Sequence, residues 1–390
     1  MSDLDIGLEP VPLDHSKTSG IKLALWHYTG APSESPTTVR KPVLLVHGAS
    51  GNHRTFMVGG FARWLSSQRF FDPWLLDWRA SSLVAADPAN EGTRRDTPEA
   101  YNFNLAAQQD IPLAIATVRE ATKTERIAAL GFCMGGAILA EAVATASITA
   151  ADVDCLVLMT MGLFYETPID GRLKVEDRVL EHLGQLEGKE RVLTVDPRVS
   201  QKAAWNAELE DMYQRWPAAL KKHAPPDPTI GKGLDPVDDM CNRLSFIYGT
   251  PYHHPNLPDD IHGTPSKRAL LPELFGAIPL QLLIHGARNI RHRRATVYGG
   301  GNAGEEIVTD AARDRFRGLE KVTLITGALN LLWHRDSIDL MHEWLTRGNA
   351  NHLGRFTKHV LPGYGHQDLL WGRGSPGEVF DKIEKGLSVG

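Results

Sequence analysis

Within residues 125–139, ERIAALGFCMGGAIL, an apolar run leads into Gly131-Phe132-Cys133-Met134-Gly135-Gly136 and then into small apolar residues at helical spacing. A strand that bends abruptly into a helix holds its central residue in a strained conformation, and Gly131 and Gly135 allow the two backbones to approach. The side chain at the bend stands out of the sheet. It also sits at a helix N-terminus, where free N–H groups and the positive end of the dipole favour thiolate over thiol, so the thiol of Cys133 is expected to be acidic. This pattern predicts nucleophilic catalysis by cysteine. The competing reading is a small hydrophobe packed in a glycine-rich turn.

The elements needed to hold such a bend are present. Residues 42–47 (PVLLVH), 74–78 (WLLDW), 153–161 (VDCLVLMTM), 322–326 (VTLIT) and 356–361 read as strands, and the continuous apolar runs among them suit a sheet covered on both faces. Helical spacing recurs over residues 61–67, 105–122, 336–346 and 375–387. This alternation predicts a mostly parallel α/β sheet flanked by helices. From residue 163 the pattern changes to amphipathic pieces, 175–186 and 203–220, separated by Pro, Trp and His. The expected organisation is a core over residues 1–162, an inserted, largely helical cap over 163–275, and the rest of the core over 276–390.

Bulk composition excludes several classes. The 390 residues are 42% hydrophobic and 23% charged with a net charge of -5, and no Lys/Arg stripe marks a nucleic-acid partner. No apolar stretch approaches the roughly 20 residues that cross a bilayer. The acidic N-terminus does not read as a secretory signal. Three scattered cysteines, Cys133, Cys155 and Cys241, make neither a disulfide framework nor a zinc site. No metal or cofactor is expected, and a reducing cytoplasm is the expected location.

The chain resembles the α/β-hydrolases over nearly its whole length. The likeness rests on Val46-His47-Gly48 after a strand, the bend at Cys133, Gly327-Ala328-Leu329-Asn330 after a late strand, and Gly363-Tyr364-Gly365-His366 after the last. LLDWRAS, YNFNLAAQQDIPLAI, PELFG and LPGYGHQDLLWG are further similar to acid-lipase-like hydrolase domains found with cholesterol-oxidase-type flavoproteins. The chain carries no G-x-G-x-x-G after its first strand, so no flavin is implied. The G-x-C-x-G-G box also resembles those of dienelactone hydrolases and polyhydroxyalkanoate synthases.

The resemblance implies roles for individual residues. His366, in a glycine turn after the final strand, is the expected base, with a surface-loop histidine as the alternative. Asn330 stands where the family usually carries Asp; its side-chain oxygen could orient the imidazole, with Asp336 and Asp339 as alternatives on the next helix. Cysteine and histidine could rest as an ion pair before substrate arrives. The backbone N–H groups of Met134 and Ala49 would form the oxyanion hole. His47 would order that loop. Tyr252, His253 and His254, with Trp205, Trp216 and Trp333, could line a substrate channel, although simple packing is the alternative for each.

Three functions follow. The first is hydrolysis of an ester, lactone or thioester through an acyl-cysteine intermediate on a small-molecule substrate. The second is acyl transfer from the same cysteine to an alcohol, amine or thiol. The third is a ligand-binding protein that has kept the fold and lost turnover, for which Asn330 in place of Asp is the best support.

Overall fold

The computed structural model describes residues 3–30, 40–68, 70–176, 192–193, 244, 246–249, 256, 267–299, 304–348 and 354–389. Its centre is an eight-stranded sheet: β1 (Leu8–Val11), β2 (Ala24–Tyr28), β3 (Lys41–Val46), β4 (Phe71–Asp77), β5 (Ile127–Phe132), β6 (Val153–Met159), β7 (Lys321–Gly327) and β8 (Phe356–Leu361). The spatial order is β1-β2-β4-β3-β5-β6-β7-β8. β2 pairs antiparallel with β1 and β4, and every other pairing is parallel. The α/β-hydrolase architecture implied by the sequence is therefore the one observed.

The central strands are apolar because both of their faces are covered. All six residues of β5 are buried, as are all seven of β6. Helices α1 (Phe61–Ser67), α2 (Ile111–Thr122), α3 (Met134–Ala144), α6 (Asp336–Thr346) and α7 (Phe380–Leu387) cover the sheet, α4 (Leu280–His292) packs on the helix Ile169–Glu176, and α5 (Asp310–Arg317) packs on α3 and α6. α3 is buried at every position, which matches an apolar sequence with no polar stripe. The edge strand β1 tolerates Pro10, because an edge position needs no N–H toward a further strand.

One helix departs from expectation. The helix expected over 105–122 begins at Phe103 and widens into a π-helical turn, Ala106–Asp110, before α2 continues. Pro112 has no N–H to give and its ring would crowd the carbonyl four residues back, so the regular ladder cannot run through this point. The widened turn carries Asp110 into the interior, where it pairs with Arg79 at 2.6 Å, both side chains being fully buried.

Of the expected cap, the helices Ile169–Glu176 and Lys267–Leu274 and the strand Val192–Leu193 are described, the strand pairing antiparallel with Ile278–Pro279 just beyond the expected boundary. The expected helix over 203–220 and most of that over 175–186 lie outside the described residues, as do Trp205, Trp216, Cys241, Tyr252, His253 and His254. No helix among the described residues is long and apolar enough to cross a membrane.

Candidate active site

β5 lies between β3 and β6, so the bend at its end emerges at the middle of the sheet. Cys133 sits there with φ 57° and ψ −128°, a conformation that costs a non-glycine residue free energy and persists only where its surroundings enforce it. They do so through two close approaches. A Cβ at Gly131 would lie 2.4 Å from the Gly135 carbonyl oxygen, and one at Gly135 would lie 2.1 Å from that of Val46. Strand, bend and helix are thus in backbone contact.

The sulfur faces the loop after β3. A Cβ built on Gly48 would be 3.2 Å from Sγ, and the main-chain N–H groups of Ala49 and Met134 act on the sulfur together with the indole of Trp333. These are the two backbone donors expected for an oxyanion hole. Cys133 is only 7% exposed. Burial pushes its thiol up to about 11, against the pull of Trp333, Met134 and Ala49. The expected acidic thiol is therefore corrected: desolvation at this depth outweighs the helix terminus and the donors together.

His366 follows β8 and is completely buried, its ring 5.0 Å from that of Phe132, the neighbour of Cys133. Burial pushes its imidazole down to about 3, and neither ring nitrogen has a hydrogen-bond partner among the described residues. A resting thiolate–imidazolium pair is thus also corrected, because low polarity disfavours both charges. The loop that carries His366 is fixed by Asp368, which accepts from the N–H of Gly365 (2.8 Å) and from Asn256 Nδ2 (2.6 Å).

Asn330 is buried in the turn after β7, and its Oδ1 accepts from the main-chain N–H groups of Leu332 and Trp333, both at 3.1 Å. The oxygen expected to orient the imidazole is occupied by backbone, and Nδ2 is a buried donor with no partner among the described residues. Asp336 and Asp339 do not reach back. Asp336 pairs with His334 (3.1 Å), and Asp339 with Arg335 (3.3 Å) and Lys358 (2.5 Å), on the outer face of α6.

Behind the Ala49 loop lies a buried polar cluster. His47 Nδ1 contacts the Gly48 carbonyl at 2.6 Å, and the Trp78 indole donates to the His47 carbonyl at 2.9 Å. Asp77, fully buried, accepts from the His53 N–H (2.9 Å) and from Ser81 Oγ (2.9 Å), and its other oxygen meets His53 Nδ1 at 2.6 Å. Burial opposes the charge on His53, yet Asp77 and Asp5 outweigh it and hold the imidazole at about 9. Asp5, ahead of β1, also takes two bonds from Arg54, each 2.8 Å.

Cys133, Met134, Ala49, Trp333 and His366 share one cleft of about 1180 Å³, counted out to its open mouth. Its walls are mainly apolar, with Phe103, Phe246, Phe275 and Leu282 among them. Lys174 supplies a cation, bonded to the Phe246 carbonyl at 2.6 Å and 3.6 Å from Asp170. No sequence signal marked Lys174 or Gln367 as lining residues, because only the fold turns the helix Ile169–Glu176 and the loop after β8 toward the cleft. Among the described residues no group of His, Cys, Asp or Glu is arranged to hold a metal.

Residues 43–382 match the model of a family described as the alpha/beta hydrolase family. No curated protein sequence matches the chain at a significant level. Solved structures of similar shape include E-2-(acetamidomethylene)succinate hydrolase, 15% identical, with 97% of this chain and 98% of that one covered and a TM-score of 0.47. A putative aryl esterase from Burkholderia cenocepacia is 13% identical over 97% of this chain and 99% of its own, with a TM-score of 0.46. A putative lipase from Acinetobacter baumannii AYE is 12% identical over 94% and 87%, also with a TM-score of 0.46. The strand order, the bend at the end of β5 and a family match spanning most of the chain agree, and this protein belongs to the alpha/beta hydrolase family.

Proposed function

We propose that the protein hydrolyses a small-molecule ester, lactone or thioester through an acyl-cysteine intermediate, with Cys133 as nucleophile and His366 as base. The observation that supports this most is the shared cleft: the strained cysteine, the imidazole and two converging main-chain donors open on the same space. The resting pair is neutral, so the reaction runs by general-base catalysis. His366 takes the thiol proton as Sγ bonds to the carbonyl carbon, and the carbonyl π pair moves to oxygen, which receives the N–H groups of Met134 and Ala49. Collapse of this adduct breaks the bond to the leaving group, which takes the proton from His366. Water, deprotonated by His366, then attacks the thioester carbonyl, and the sulfur departs and recovers the proton.

Acyl transfer is the second reading, and the apolar walls of the cleft favour it, since an alcohol, amine or thiol acceptor competes best where water is scarce. In either case Asn330 holds the turn beside the site. Tyr252, His253 and His254 are proposed as substrate contacts because Phe246, Ile247 and Tyr248, shortly before them in the chain, line the cleft.

The test is incubation with p-nitrophenyl esters and acyl thioesters, followed by intact mass measurement. A burst of product and an acyl adduct on Cys133, both abolished in Cys133→Ala, are expected. Full turnover by Cys133→Ala overturns the assignment, and absence of any adduct leaves the ligand-binding alternative in its place. Added acceptors that capture the acyl group distinguish transfer from hydrolysis.

A further inference from the structure

Trp333 stands three residues beyond Asn330 and is 7% exposed. Its Nε1 is a buried donor with no hydrogen-bond partner among the described residues, whereas a buried indole N–H usually finds one. The ring lines the cleft with Cys133, and its N–H acts to favour a negative charge on Sγ. Tyr165 meets the indole edge to face, at 87° and 5.7 Å between centroids. The main chain under the ring is pinned by Asn330 Oδ1 through the Leu332 and Trp333 amides.

We propose that the indole N–H of Trp333 is a third donor to the Cys133 sulfur, holding the thiolate as it attacks and again as it leaves the acyl group, with Asn330 as the residue that positions Trp333. This rests on Cys133 being the nucleophile. A neutral thiol is a poor acceptor and a thiolate a strong one, so the bond strengthens as the proton passes to His366. The need for it follows from the surroundings. Neither nitrogen of His366 has a hydrogen-bond partner among the described residues, so no carboxylate among them is bonded to the imidazole to steady an imidazolium, and the negative sulfur must be held by other means. The titratable groups around the sulfur are Tyr165 and Tyr248, with His366 and Lys174 in the same cleft. Burial disfavours the charged forms of the two phenols and the imidazole, and Lys174 is engaged by Asp170 (3.6 Å) and the Phe246 carbonyl (2.6 Å). The same assignment accounts for Asn330 where the family usually has Asp: its carboxamide oxygen serves the turn that carries the indole.

The test measures alkylation of Cys133 by iodoacetamide, followed by intact mass, in the full-length protein. A hydrogen bond to a charged group is worth about 1.5 kcal/mol or more, so Trp333→Phe is expected to slow alkylation roughly tenfold at pH 8.5 and to move the midpoint of its pH profile upward by about one unit. Trp333→His, which keeps a ring N–H, is expected to recover part of the rate, and Asn330→Ala to slow it in the same direction. Melting curves and circular dichroism establish that each variant is folded. Should Trp333→Phe fail to fold, 3-benzothienylalanine at position 333 keeps the ring shape without the N–H, and the same tenfold loss is expected. A folded donor-free variant that alkylates at the parent rate and pH overturns the proposal. Turnover by Cys133→Ala would instead overturn the nucleophile, whatever the alkylation rates.

Discussion

Gly135→Ala tests whether the backbone contact at the bend is what holds the site. The added Cβ would meet the Val46 carbonyl oxygen at 2.1 Å, the Val46 carbonyl carbon at 2.6 Å and the His47 carbonyl oxygen at 2.7 Å. All three are main-chain atoms of β3 and the loop after it, so no side chain can rotate aside. Relief requires α3 to withdraw from β3 by more than an ångström, roughly the gap between these distances and ordinary contact. Overpacking of this kind costs about 1–3 kcal/mol, and a clash with rigid backbone belongs at the upper end, a drop of several degrees in melting temperature. The kinetic consequence is larger. Ala49 lies on the β3 side of the gap and Met134 on the α3 side, so their N–H groups move apart, and misplacement by about 1 Å costs on the order of a hundredfold in rate. Gly92→Ala is the control: a Cβ there meets nothing within 4 Å, so stability should be unchanged or slightly raised. Melting curves and ester turnover are read together. A Gly135→Ala protein that melts with the parent and keeps its rate would refute the account of the bend.

Two further outcomes depend on buried titratable groups. Because burial lowers His366 to about 3 and raises the Cys133 thiol to about 11, kcat/KM for an ester should be nearly flat between pH 5 and 8, and an inflection near 6.5 would contradict the buried neutral imidazole. Burial also raises the carboxyl of Glu141, on α3, to about 8 despite the Asn104 amide beside it. Its folded value lies above the ordinary 4.5, so the unfolded chain releases this proton first and stability falls as pH rises from about 4.5 to about 8. Glu141→Gln should flatten that fall and melt higher than the parent at pH 8, and melting curves at pH 5 and 8 that match the parent's would refute this.

What is legible in the sequence is what depends on local pattern. Gly131 and Gly135 around Cys133, and the apolar runs of β3, β5 and β6, predict a parallel sheet with a bend at its centre, and the structure has both. The antiparallel strands β1 and β2 leave a weaker trace: LEPV is short and ALWHY mixes polar and apolar residues, so neither reads as a buried run. The ionisation of Cys133 escapes the sequence for a physical reason. A helix N-terminus is visible there, whereas the depth of burial that outweighs it comes from distant segments, Gly48, Trp333 and His366 among them, that line the same cleft. Asn330 is found by position, but the destination of its oxygen, the amides of Leu332 and Trp333, is a property of the folded turn. The π-helical turn ahead of Pro112 likewise needs Arg79, far away in sequence, to explain why Asp110 turns inward.

The salt bridges of Asp5 bear on how the protein is handled in the laboratory. Asp5 clasps His53 and Arg54, and His53 in turn grips Asp77 behind the loop of Ala49. Asp5, ahead of the first strand, thus braces the loop of Ala49 far downstream in the chain. A bulky affinity tag or a trimmed start at that end would strain the brace and depress measured rates without touching the cleft. The end of α7 is tied as well, because Lys41 at the start of β3 donates to the Leu387 carbonyl at 3.0 Å and Lys321 to that of Lys385 at 2.5 Å.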